Sequence, residues 1–193
     1  MAISFQDVER LQGLYPDYQI ELREGKIIIM SPSDIVSSEI GARLIAQLSI
    51  YMYNHNLSGR ILESSAGFRL SNGDLLAPDV SFVSRERLKK SPRSYASVMP
   101  ELIVEIKSSS DRIREPEEKI AVFLSQGVQV GILINPDTHT VSVYRSSGLS
   151  EDTEGSPAIS QKTMLHDADT LTISELFPGW EMPIASLWPP VYE

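Results

Sequence analysis

The chain of 193 residues contains no cysteine. It therefore has no disulfide framework, no thiolate metal site and no cysteine nucleophile, which fits the reducing conditions of a cytoplasm. No apolar run approaches the ~20 residues that a membrane helix needs. The N-terminus also lacks the basic region and apolar core of a secretory signal. These absences predict a cytoplasmic globular protein without a membrane partner.

Several common catalytic signatures are missing as well. The sequence contains neither a P-loop nor a dinucleotide-binding fingerprint. Its three histidines have no metal-ligand spacing. Ser108–Ser110 lacks the Gly-x-Ser-x-Gly elbow and a histidine partner. The sequence thus argues against a P-loop site for a nucleoside triphosphate, a dinucleotide-cofactor site, a histidine metal centre and a serine acyl-transfer site.

Positive charge is scarce, since the net charge is −9. This net charge argues against a protein that binds nucleic acid over its whole surface. The acidity is concentrated in Leu149–Glu193, which contains eight acidic residues and one basic residue. Residues 1–148 contain 16 basic and 18 acidic residues and are therefore nearly neutral. Arg85–Arg93 contains five bases and one acid. The charge distribution is compatible with a nucleic-acid substrate but does not by itself support one.

Apolar periodicity predicts a single α/β domain in which helices flank one mixed central sheet. We expect a core at about residues 18–145, a mobile acidic loop at about 146–160 and a C-terminal tail at 161–193. Arg85–Met99 is expected to be a loop with a little helix. The predicted elements are a helix over Phe5–Leu11, a hairpin of Tyr18–Arg23 and Lys26–Met30, a long helix from Ile35 to about Asn56, strands at Arg60–Glu63, Phe68–Leu70, Asp79–Val83 and Leu102–Lys107, a helix over Glu115–Gln126, a hairpin of Val128–Asn135 and Thr140–Tyr144, and a strand near Thr163–Leu165.

Two of these strands carry charged side chains in apolar surroundings. Asp79 opens one strand directly after Pro78, and Glu105 lies near the end of the other. Because side chains alternate along a strand, Glu105 and Lys107 are expected to share one face. An ionised Glu is costly to bury without compensation. The strand therefore lies at a wet edge, or its charged face lines a polar cleft.

The combination of two carboxylates and an amine is what a hard-cation site requires. Mg²⁺ binds one or two carboxylates together with water and phosphate oxygens. A bound cation activates water and polarises a phosphodiester. A lysine two residues from the Glu can offset the charge that develops on the phosphoryl oxygens. The pattern thus indicates metal-dependent phosphodiester hydrolysis.

Five stretches resemble, in the same order, the Uma-two family of restriction endonucleases, a branch of the PD-(D/E)XK nucleases. They span roughly residues 20–145, about two thirds of the chain. One departure is Ser109, which stands where the family commonly has a proline. The matching stretches are Met30–Asp34, Ser37–Gly41, Ala77–Val80, Glu105–Asp111 and Gln126–Pro136.

The resemblance implies a restriction-endonuclease-like fold and an endonuclease that cleaves DNA with Mg²⁺, or with Mn²⁺ as a substitute. Asp79 and Glu105 would be metal ligands, and Lys107 the catalytic lysine. Glu39 matches the acidic residue on the first long helix that often completes the metal site. A homodimer would supply two sites for the two strands of a duplex.

Other interpretations remain open. A Glu-x-Lys pair is common at a solvent edge, and Glu39 with Arg43 forms an ordinary i, i+4 pair. A catalytically inactive relative that binds nucleic acid or protein, or a hydrolase of small phosphoesters, would also fit. Several polar residues are candidates for substrate contacts, although each also suits a solvated surface. These residues are Arg69, Arg85, Arg87, Lys89, Lys119 and Gln126.

Overall fold

The computed structural model describes residues 3–109, 113–146 and 159–192. The predicted acidic loop lies largely outside these residues, as do Ser110 and Asp111 of one matching stretch; residue 159 already belongs to a strand. The elements are α1 (Phe5–Leu14), β1 (Gln19–Arg23), β2 (Lys26–Met30), α2 (Ile35–Asn54), β3 (Gly59–Glu63), β4 (Phe68–Arg69), β5 (Leu75–Leu76), β6 (Val80–Ser84), β7 (Leu102–Ile106), α3 (Arg114–Ser125), β8 (Val130–Asn135), β9 (Thr140–Ser146), β10 (Ile159–Leu165), β11 (Thr170–Thr172), β12 (Glu181–Pro183) and a 3₁₀ helix at Ile184–Leu187.

The central sheet has six strands in the order β10-β9-β8-β7-β6-β3. β7 and β8 are parallel and are connected through α3, whereas the other neighbours are antiparallel. Glu105 pairs with Leu133 in the parallel register, at the centre of the sheet. The predicted single α/β domain with a mixed central sheet flanked by helices is confirmed.

The long helix α2 begins at Ile35, directly after its N-cap residue Asp34. The carboxylate of Asp34 accepts a hydrogen bond from the main-chain N–H of Ser37 at 2.9 Å, which satisfies a helix N-terminal donor. The same side chain accepts from the N–H of Ser109 at 3.0 Å, and so ties the start of α2 to the segment after β7. The buried stripe of α2 packs in the main core. It consists of Ile40, Leu44, Leu48 and Met52.

The hairpin of β1 and β2 belongs to a second sheet of four strands, in the order β2-β1-β5-β4. Its turn consists of Glu24 and Gly25, whose φ angles are 51° and 72°. Positive φ at both central residues is typical of a two-residue hairpin turn. Helix α1 covers this sheet through the fully buried Val8. The sheet brings Glu21 of β1 into the interior, where it is 3% exposed.

The C-terminal residues are an integral part of the domain. Seven buried side chains between residues 171 and 187 pack in the same core cluster as α2 and the central sheet. Arg85–Met99, expected to contain a little helix, has none; it is anchored by a bridge between Phe68 and Ala96. In the part of the chain that the structure describes, no helix is long and apolar enough to cross a membrane.

Candidate active site

Asp79 stands at the edge where β6 and β7 stop pairing. The ladder between these strands ends with the pair Val80 and Val104. Beyond it, Oδ2 of Asp79 accepts a hydrogen bond from the main-chain N–H of Ile106 at 2.7 Å. Pro78 precedes the strand, where its missing N–H costs no ladder bond. The side chain of Asp79 is thereby fixed next to the end of the strand that carries Glu105.

Glu105 is buried against α3, with 6% of the residue exposed. The ammonium of Lys119 lies 3.2 Å from its Oε1. This contact brings the opposite charges together but lacks hydrogen-bond geometry, so Oε1 has no hydrogen-bond partner among the described residues. A buried carboxylate oxygen in this state retains the capacity to accept another ligand.

Lys119 is held by three oxygen atoms. Its Nζ lies 2.9 Å from Oε1 of Glu21 and donates to the main-chain oxygen of Ala77 at 2.8 Å, in addition to its contact with Glu105. Glu21 also accepts from the N–H of Ala77 at 2.8 Å. Lys119 therefore links β1, β7 and the residue that follows β5 at one point, although it lies on the apolar face of α3.

The side chains of Glu21, Asp79, Glu105 and Lys119 line one cavity of about 270 Å³. We call Glu21, Asp79, Glu105 and Lys119 the carboxylate cluster. The β1–β2 hairpin, the residues before α2, the end of β7 and the first turn of α3 enclose the cavity. Arg23 also lines it and lies 3.0 Å from Glu118. The cavity thus combines acids with two cations that could contact a phosphate.

The carboxylate cluster combines three carboxyl groups with one ammonium, and burial and charge shift the pKa of two of these groups. Burial raises the pKa of Glu105 well above its usual range, and the charges of Asp79 and Glu21 raise it further against the opposing effect of Lys119. Burial alone would lower the pKa of Lys119, but the three carboxylates outweigh it and raise that pKa. Lys119 is therefore cationic, while the carboxylates still repel one another.

The donor set fits a hard divalent cation. Within the described ranges, no three Asp, Glu, His or Cys side chains form a ready metal site. Two carboxylates are nevertheless enough for Mg²⁺, which keeps water ligands and takes phosphate oxygens. Asp79 and Glu105 both line the cavity, and Oε1 of Glu105 has spare acceptor capacity. A cation there would also relieve the repulsion between the carboxylates.

Lys107, predicted as the catalytic lysine, lies outside the cluster. Its Nζ donates to Asp137 at 2.7 Å and to the main-chain oxygen of Ser108 at 3.1 Å. β7 ends at Ile106, so the strand alternation that would place Lys107 beside Glu105 stops one residue too early. Lys107 is not among the residues that line the cavity. Its catalytic role stays a prediction.

Glu39, predicted as a third metal ligand, is also placed elsewhere. Its Oε1 accepts from Arg43 at 2.9 Å and 2.6 Å, one turn further along α2. Glu39 does not line the cavity, whereas Glu21 does. The third carboxylate of the cluster therefore comes from the β1–β2 hairpin, and the ligand role of Glu39 stays a prediction.

Most of the predicted substrate contacts have local partners. Arg69 lies 4.3 Å from the ring centre of Phe5, and Arg87 lies 3.1 Å from Glu101. Gln126 accepts from the N–H of Ser71 at 3.1 Å.

The basic loop that contains Arg85 and Lys89 leaves β6 at the end opposite Asp79. At about 3.3 Å per residue, the six steps from Asp79 to Arg85 correspond to about 20 Å. Of the six predicted contacts, only Lys119 lines the cavity.

Sequence reasoning missed Glu21 and the position of Lys119 at the centre of the cluster. A signal existed for both. Glu21 stands between Ile20 and Leu22 in a predicted strand, which is the pattern that drew attention to Glu105. Lys119 shares the buried helical face with Ile120 and Phe123. A charged residue at such a position requires a partner, but the sequence does not say which one.

The chain matches one family model and has a fold similar to that of a solved structure. The model of the family described as "Uma2: Putative restriction endonuclease" matches residues 5–185. A solved structure with a similar fold is described as a putative nuclease belonging to DUF820 from Anabaena variabilis ATCC 29413. The two are 19% identical, the match covers 87% of this chain and 88% of the other, and the TM-score is 0.71. No curated protein matches the chain.

Proposed function

This chain belongs to the Uma2 family, whose description reads "Putative restriction endonuclease", and we propose that it is a metal-dependent endonuclease that hydrolyses phosphodiester bonds in DNA. The observation that carries the proposal is the convergence of Asp79, Glu105 and Lys119 on one cavity. Two carboxylates and an amine are the groups that such a reaction needs. The family supports DNA as the substrate.

Asp79 and Glu105 would hold Mg²⁺, with Mn²⁺ as a substitute because the ligands are oxygen atoms. When bound, the ion would polarise the phosphate and lower the pKa of a water molecule. The N–H of Ile106 orients the carboxylate of Asp79 through its 2.7 Å hydrogen bond. The buried position of Glu105 excludes water from one side of the site, which strengthens its interaction with a cation.

Lys119 is the amine best placed to act on the phosphate. It is cationic, lines the cavity, and is positioned by Glu21 and the main-chain oxygen of Ala77. A fixed ammonium stabilises negative charge on phosphoryl oxygens without further reorganisation. Arg23, at the cavity wall, would bind a neighbouring phosphate. We therefore assign to Lys119 the role that the sequence predicts for Lys107.

Plasmid nicking in Mg²⁺ tests this proposal and separates the two lysines. We expect Asp79→Asn, Glu105→Gln and Lys119→Met to lower the nicking rate by roughly 100-fold or more. Lys107→Met should retain a rate within a few-fold of the native chain, because its ammonium binds Asp137. Circular dichroism at the assay temperature checks that each variant is folded.

Equal nicking by the native chain and Glu105→Gln would reveal a contaminating nuclease and overturn the proposal. Loss of nicking in Lys107→Met with retention in Lys119→Met would return the catalytic role to Lys107. A folded native chain that binds Mn²⁺ but cuts no DNA would indicate a catalytically inactive relative. Cleavage of a small phosphodiester without cleavage of DNA would indicate a small-phosphoester hydrolase.

A further inference from the structure

A second cavity, of about 340 Å³, adjoins the active-site cavity. Glu21 lines both of them. Ala77 lines the second cavity, and its main-chain oxygen accepts the 2.8 Å hydrogen bond from Lys119. Glu21 and the hydrogen bond between Lys119 and Ala77 therefore belong to a wall that the two cavities share. The nucleoside next to a phosphate at the carboxylate cluster would therefore lie close to this shared wall.

The lining of the second cavity differs in chemistry from that of the first. It contains the rings of Tyr18 and Tyr95 and the amides of Gln12 and Gln19, and neither Lys nor Arg. The acids Asp17 and Glu21 would repel a phosphate there. Aromatic rings stack on flat heterocycles. The amide nitrogens of Gln12 and Gln19 donate to main-chain oxygens, and this leaves their amide oxygens to accept from the edge of a base. The second cavity thus suits an uncharged polar ring rather than an anion.

Tyr95 and Gln12, which line this cavity, are held in place by contacts with neighbouring residues. Tyr95 packs edge-to-face on Phe5 at 5.8 Å between ring centres. Its ring also lies against the backbone at Gly67, where an added Cβ would come within 2.6 Å of Cδ1 of Tyr95. The amide of Gln12 donates to the main-chain oxygen of Tyr18 at 2.8 Å, which ties the cavity wall to α1. A rigid wall lowers the entropic cost of binding.

We propose that this second cavity is a base pocket, which receives an unstacked nucleobase from the strand whose phosphate lies at the carboxylate cluster. This inference rests on the proposed function, and it adds that the strand is single-stranded or locally opened at the scission site. Enzymes that act on extruded bases hold them by stacking and by hydrogen bonds to their edges. The size of the base pocket falls within the range of ordinary ligand sites.

Binding of single-stranded DNA tests the base pocket without requiring cleavage. In a Glu105→Gln background, fluorescence anisotropy compares a short labelled strand with an abasic strand of the same length and charge. We expect the abasic strand to bind about 5- to 150-fold more weakly, the range for loss of one stacked base. The Tyr18→Ala variant should bind the intact and abasic strands with equal affinity, whereas the Tyr18→Phe variant should still bind the intact strand more tightly.

Tyr18 is a suitable site for substitution because it is 52% exposed, so its replacement leaves the core intact. Tyr53→Ala is the matched control, since Tyr53 is 85% exposed and does not line the base pocket. Its affinity for the intact strand should equal that of the parent. Equal binding of intact and abasic strands, or equal affinity of Tyr18→Ala and its parent, would overturn the inference.

The two proposals fail in different ways. If nicking depends on Glu105 but the abasic strand binds as well as the intact one, the base pocket is wrong and the nuclease assignment stands. If no DNA is cut but Tyr18→Ala still removes the preference for intact DNA, the base pocket stands and the catalytic assignment is wrong. The anisotropy and nicking assays together distinguish these outcomes.

Discussion

Replacing Lys119 by methionine tests how the carboxylate cluster is held together. Methionine fills a similar volume but removes the charge, and so leaves Glu21 and Glu105 buried without their shared cation. The side chain of Lys119 is 9% exposed and contacts three oxygen atoms. Removing one partner of a buried ion pair costs about 3–5 kcal/mol. We therefore expect the free energy of unfolding of Lys119→Met to fall by that amount at neutral pH.

The loss should also depend on pH. Without Lys119, the pKa of Glu105 in the folded chain rises further above its value of about 4.3 in the unfolded chain. A carboxyl whose pKa is raised by folding stabilises the fold below its unfolded pKa, and this contribution is lost as the pH rises through the folded pKa. The deficit of Lys119→Met should therefore be small near about pH 4 and should grow toward neutral pH.

Urea unfolding, followed by circular dichroism at several pH values, measures this deficit. Lys162→Met is the matched control, because Lys162 forms an exposed pair with Glu117 that is worth about 0–1 kcal/mol. Adding Glu105→Gln to Lys119→Met should restore part of the lost stability. A deficit no larger than that of Lys162→Met, or one that is constant with pH, would refute this account of the cluster.

Three further predictions concern the frame around the site. Gly131→Ala should lower the free energy of unfolding by about 1–3 kcal/mol in urea titrations, because its Cβ would meet Cγ2 of Ile120 at 2.5 Å; no loss would contradict the close packing of β8 on α3. Asp34→Ala should cost about 1 kcal/mol at pH 7. The hydrogen bond from the N–H of Ser37 lowers the pKa of Asp34, so this cost should vanish as the pH falls through that pKa, and a constant cost would be inconsistent with the cap. Replacing Arg85 and Lys89 together by Ala should change DNA affinity less than about twofold, since their loop begins at Arg85, about 20 Å along β6 from Asp79; a large loss in an anisotropy titration would place DNA on that loop.

Much of the fold could be predicted because local signals agreed with it. Asp34 marks the start of α2, and the Glu24-Gly25 turn sets the β1–β2 hairpin. Strands β6 and β7 were recognisable from short apolar runs. Residues 161–193 were predicted as a C-terminal tail. The extent to which residues 171–187 fill the core was not recognisable, because packing of short distant segments leaves no local periodicity.

The candidate site was only partly predictable. Asp79 and Glu105 stand out because charged residues interrupt apolar strands, and the structure brings both to one cavity. Lys107 was favoured by alternation along β7, which ends one residue before it. Glu21 and Lys119 reach the cluster from a hairpin and a helix, and the contact between such elements depends on tertiary packing. Mg²⁺ binding, a homodimer and a cytoplasmic location stay predictions.

The central claim is that Asp79 and Glu105 share one divalent cation. Titration of the chain with Mn²⁺, followed by the electron paramagnetic resonance of the free ion, measures this directly. We expect the native chain and Glu39→Gln to bind Mn²⁺ equally, and Asp79→Asn and Glu105→Gln to bind it about tenfold more weakly or worse. Unchanged Mn²⁺ affinity in both Asp79→Asn and Glu105→Gln would contradict the claim.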